Sequence, residues 1–114
     1  MLKEIIDAIK EKEKNVFYGS VDPGDLDGNK WNYTVITKDK TENENGRWFD
    51  QFIITIVREG YIPEGYPLEV MELVEKAHVR AGSTVTYNYY EKGSTGEIIE
   101  TATFKARGVR RSCF

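Results

Sequence analysis

The stretch Trp48 to Arg58 constrains this chain more than any other. It alternates with a period of two, and both of its faces are apolar. Trp48, Phe52, Ile54 and Ile56 lie on one, Phe49, Ile53 and Val57 on the other. A strand solvated on one side carries a single apolar face, so two apolar faces call for a central position with cover on both sides. Helices could supply one cover, and a neighbouring subunit part of the other.

Strands to flank it are legible on either side. Trp31 to Lys38 alternates Trp31, Tyr33 and Val35 against Asn32, Thr34 and Ile36. Ser83 to Glu91 and Glu97 to Arg107 alternate in the same way around Lys92-Gly93-Ser94-Thr95-Gly96 and predict a hairpin. Between the first two strands, Asp39 to Arg47 is charged, has almost no apolar anchor and ends in Asn45-Gly46. It reads as a flexible loop. Val16-Phe17-Tyr18-Gly19 is a short extended piece.

Two helices complete the set. Leu2, Ile5, Ile6 and Ile9 form a stripe at helical spacing, with an end expected near Lys14-Asn15. Pro67 opens a second helix carrying Val70, Met71, Val74 and Ala77. Its end is expected near Arg80-Ala81-Gly82, with Gly82 as a left-handed cap. The expected fold is α+β: a mainly four-stranded antiparallel sheet with two helices packed on it, in the order α-β-β-α-β-β. The expected organisation is one domain over 1–114, with the flexible loop at 39–47 and a basic C-terminal tail at 108–114.

Little in the chain carries chemistry. His78 and Cys113 are its single histidine and single cysteine, one at a helix end and the other next to the last residue, so they do not make a thiol–imidazole pair. A lone cysteine forms no internal disulfide and implies no oxidising compartment. Asp25, Asp27 and Asn29 have the spacing of a calcium loop. Lys30 stands where the sharp-turn glycine is required, and Ile36 where the bidentate glutamate belongs. Gly93-Ser94-Thr95-Gly96 lacks the lysine and the following helix of a phosphate cradle. The expectation is no enzyme, no cofactor and no metal. Charge at the N-terminus and the lack of a long apolar span point to synthesis in the cytoplasm without a signal peptide, which makes the sequon Asn32-Tyr33-Thr34 a chance match. A net charge of −3 does not suit a general nucleic-acid binder. Even so, Lys105, Arg107, Arg110 and Arg111 beside Tyr87, Tyr89 and Tyr90 have the residue types of a small single-strand-binding domain, which stays open as an alternative.

Taken in order, the amphipathic helix, Val16-Phe17-Tyr18-Gly19, the Pro/Gly/Asp stretch, Trp31-Asn32-Tyr33-Thr34-Val35-Ile36, the long strand, the Pro-led helix and the final hairpin form a pattern. It resembles the tail terminator and neck (head–tail joining) proteins of long-tailed bacteriophages and phage-derived elements. The resemblance covers nearly the whole chain in element order and size. It implies a virion protein of the tail or neck that forms a ring, commonly of six subunits, ends growth of the tail tube and presents a surface to the head connector. A head-closure adaptor is the sibling alternative. The partners so implied are further copies of the chain, the tail tube protein, the connector or head-closure protein, and DNA passing through the lumen without sequence recognition; no membrane is involved. The expected interface residues are the acidic Asp22, Asp25 and Asp27, the loop residues Glu42, Glu44 and Arg47, and the basic Arg107, Arg110 and Arg111. The acidic and basic groups are expected to meet across subunits.

Overall fold

The computed structural model describes residues 1–20, 31–93 and 96–110. In chain order they form α1 (Leu2–Ile9), β1 (Val16–Tyr18), β2 (Tyr33–Glu44), β3 (Arg47–Glu59), α2 (Tyr66–Glu75), β4 (Arg80–Ala81), β5 (Thr86–Lys92) and β6 (Glu97–Val109). The class is α+β with two helices, but the expected four-stranded antiparallel sheet is corrected. The sheet has six strands and is mixed, in the order β1-β2-β3-β6-β4, with β5 also on β6.

Two short segments make the difference. Val16–Tyr18 runs parallel to β2, held where the Thr34 N–H donates to the Asn15 carbonyl (2.9 Å) and the Gly19 N–H to the Ile36 carbonyl (2.8 Å). Parallel pairing needs a long return connection, and the chain between Tyr18 and Tyr33 provides it. Arg80–Ala81 pairs with Arg107 and Ala106 on the edge of β6 that β5 uses further along. This segment had been expected to be the end of α2. Instead α2 stops at Glu75, and the left-handed residue after it is His78 (φ 62), not Gly82. Histidine tolerates that conformation better than most residues. The early stop frees the chain to re-enter the sheet, where the Gly82 N–H donates to the Lys105 carbonyl (2.7 Å).

A second correction concerns 39–47. Lys40 to Glu44 pairs residue by residue with Gln51 to Arg47, so the charged stretch is the outer half of a β2–β3 hairpin. Asn45 (φ 54) and Gly46 (φ 85) turn it, the positive pair that a tight two-residue hairpin requires. A bulge between Lys38 and Lys40 sets off the outer half from the root. The extended hairpin accounts for a molecule 51 Å long but only 28 by 23 Å across.

Both helices lie on one face of the sheet. Ile5 and Ile9 of α1 and Val70, Met71 and Val74 of α2 pack on Ile36, Phe52, Ile54, Ile56, Ala102, Phe104 and Ala106. The alanines on either side of Phe104 leave room for helix side chains. Trp48 has the same parity as Phe52 yet is 53% exposed, because it sits out on the hairpin beyond the helices.

Candidate assembly surface

The face of the sheet turned away from the helices is the candidate surface. Tyr33, Val35 and Thr37 of β2, Phe49, Gln51, Ile53, Thr55 and Val57 of β3, and Thr101, Thr103, Lys105 and Arg107 of β6 share it by register. Among the described residues no helix packs on it. Its inner part sets Val35, Ile53 and Val57 among threonines. Phe17 meets Tyr33 edge to face with ring centroids 6.1 Å apart, and the Thr55 and Thr103 hydroxyls lie 3.2 Å apart across the β3–β6 seam. A pocket of about 370 Å³ opens at one end between Trp31, Tyr33, Val57, Tyr90, Ile99 and Thr101. The Trp31 indole N–H is buried there with no hydrogen-bond partner among the described residues.

The outer part, on the hairpin, is charged and internally paired. The Arg107 guanidinium lies over the Phe49 ring, 3.9 Å from its centroid, and Nη2 reaches both Glu44 and Glu42 (3.4 Å). Asp39 at the bulge accepts from the Gln51 amide (2.6 Å) and lies 3.8 Å from the Lys105 ammonium. On the helix side of the hairpin, Asp50 is buried. It accepts from the Thr41 hydroxyl (2.6 Å), with Lys38 at 3.9 Å.

Of the residues expected at an interface, Glu42, Glu44 and Arg107 come together, but within one chain. Arg107 is engaged by its own hairpin. Arg47 stands exposed opposite Glu44 at the tip. Arg110 is exposed at the end of β6, where its backbone N–H donates to the Trp48 carbonyl (2.8 Å). Asp22, Asp25, Asp27 and Arg111, and Cys113 with them, lie outside the described residues. The basic–aromatic cluster does not form among the described residues. Tyr87 and Tyr89 pair with Ala102 and Glu100 and so point to the helix side, whereas Tyr90, opposite Ile99, shares the open face with Lys105 and Arg107 but at the far end of β6 from them.

A buried polar network escaped the sequence reading. Glu13 is 2% exposed and receives the Thr34 hydroxyl (2.9 Å), the Arg58 guanidinium and the Tyr66 hydroxyl. Arg58 also lies over the Tyr66 ring, 5.2 Å from its centroid. Burial, and then the bonded Glu13 carboxylate, push the Tyr66 phenol well up from its ordinary range. Four separate segments meet at this carboxylate, which ties the helices to the sheet and keeps the open face in register. The signal was present, because Glu13 continues the Ile5–Ile9 stripe by one more turn.

Among the described residues no three His, Cys, Asp or Glu side chains gather as a metal site, and no helix is long and apolar enough to cross a membrane. No protein-family model matches the chain, and no curated protein matches it.

Proposed function

We propose that this chain is a ring-forming assembly subunit of the tail-terminator and neck type, stacking copies of itself at the end of a tail tube. One observation carries the reading: both helices pack on one side of the sheet, and among the described residues no helix layer covers the other, around Val35, Ile53, Thr55 and Thr103. An α+β layer fold normally buries its apolar sheet surface against a second layer. A neighbouring copy supplies that layer here, through a head-to-tail contact of the kind that closes into a ring.

The hairpin charges are neutralised within the chain, so the contact depends on shape and apolar burial rather than on exchanged ion pairs. Arg47 and Arg110 are both exposed near the hairpin tip, one beside Trp48 in sequence and the other bonded to its carbonyl. Together with the sequence-level acidic segment at Asp22, Asp25 and Asp27, they bias which surface a neighbour meets.

The test is electron microscopy of the purified protein with polymerised tail tubes. Rings or caps on one tube end, with shortened tubes when the protein is present during growth, are expected. Rings that ignore tubes and bind a head connector would replace this reading with the head-closure one. Salt-dependent binding of single strands without rings would replace it with the nucleic-acid one.

A further inference from the structure

The two edges of the sheet are unequal. One is β1, three residues long. The other is formed by β4 and β5, and β5 offers seven consecutive residues that pair, among the described residues, only with β6. Natural edge strands are usually kept short, bulged, charged or interrupted by proline to prevent further pairing. β5 is unbulged against β6 and contains no proline, and its charges are confined to its last two positions, Glu91 and Lys92. Thr86 to Glu91 are all exposed, including Tyr87 (47%), Tyr89 (56%) and Tyr90 (56%). Exposed tyrosines on both faces of an edge strand have the composition of a contact hot spot.

We propose that β5 is a self-association edge: it pairs antiparallel with β5 of a second copy, about a two-fold axis at Tyr89. The edge demands an extended partner of matching length. Within this molecule β1 is too short to match it, and β5 itself has the right length. Full overlap opposes Thr86 with position 92, Tyr87 with Glu91, Asn88 with Tyr90, and Tyr89 with its own mate. This register keeps each face continuous across the axis, because opposed residues then share parity. The charges agree as well: Glu91 meets the Tyr87 hydroxyl, and no like charges oppose. Seven opposed pairs give roughly six to eight new backbone hydrogen bonds. Tyr89 stands opposite Glu100 of β6, which accepts from the Ile62 N–H (2.6 Å). This contact is isologous and closes at two copies, so it is separate from the head-to-tail ring contact and does not rest on it.

Cysteine cross-linking in a Cys113→Ser background tests the register. Opposed Cα atoms on the axis sit about 4.5–5.5 Å apart, within disulfide reach. Tyr89→Cys is therefore expected to give a covalent dimer on oxidation. Tyr87→Cys and Glu91→Cys alone lie about 13 Å from their own mates and stay monomeric. Mixed together, those two form the heterodimer, which keeps the test independent of any damage from losing Tyr89. Sedimentation of the Cys113→Ser protein should give a dimer. A monomer, equal cross-linking at all three positions, or a larger species that does not cross-link through Tyr89 would each overturn the proposal.

Discussion

Glu13 ends as a buried carboxylate because Arg58, Tyr66 and Thr34 converge on it. Removing one partner leaves its charge desolvated and under-compensated, a loss of about 3–5 kcal/mol in comparable pairs. Arg58→Ala is therefore expected to lower the unfolding free energy by about that amount in urea, and a change below ~1 kcal/mol would contradict the network's role. Tyr66 gives a pH signature. The folded chain holds the phenol proton above the ordinary value of ~10, at which the unfolded chain releases it. The contribution is then complete below pH ~10 and is lost as pH rises beyond it. Tyr66→Phe should flatten the alkaline limb of stability against pH, and parallel limbs for the two proteins would contradict the assignment. Gly108 is constrained by contact rather than by its dihedral angle: a Cβ there would lie 2.8 Å from Met1 Sδ and from Val79 Cγ1. Gly108→Val should cost about 1–3 kcal/mol by thermal melting, as overpacking does. The sequence reading could not have singled out this glycine, since the close approach of Met1 and Val79 is set only by tertiary packing.

The β2–β3 hairpin shows where legibility stops among the elements. The alternation in Trp48 to Arg58 reported a central strand, and its two faces were assigned with the right parity. Asp39 to Glu44 gave no such signal. Its side chains are polar on both sides, because beyond the helices there is no core to report. Its strand character comes from cross-strand pairing with Gln51 to Arg47 and from Arg107 bridging to Glu42 and Glu44. The same limit explains β1 and β4, which are too short to show a period. Glu42, Glu44 and Arg107 were singled out from charge alone, but the register that makes them partners of one another depends on the bulge at Asp39. Gly46→Val would force a β-branched side chain into a positive φ, at a cost of about 1–2 kcal/mol confined to the tip. Hydrogen exchange should then quicken across 40–51 while the α1, α2 and β6 amides keep their protection. Uniform loss of protection would mean that the hairpin and the body unfold as one unit.

At the scale of the whole molecule, the described residues form a two-sided sheet with unequal cover: helices on one face, and on the other a valine, isoleucine and threonine surface that continues into a charged, self-paired hairpin. The proposed stacking role rests on the open face, since β1 and β4 change the element order expected from the sequence. Thr55 lies at the centre of that face, half-buried with its hydroxyl 3.2 Å from that of Thr103, so Thr55→Lys disturbs the surface while sparing the core under the helices. Electron microscopy of the wild-type and Thr55→Lys proteins, each mixed with polymerised tail tubes under the same conditions, tests the central claim most directly. The account predicts rings or end caps with the wild type and bare tube ends with Thr55→Lys, both proteins having native melting curves. Caps formed equally by the two, or by neither, would contradict it.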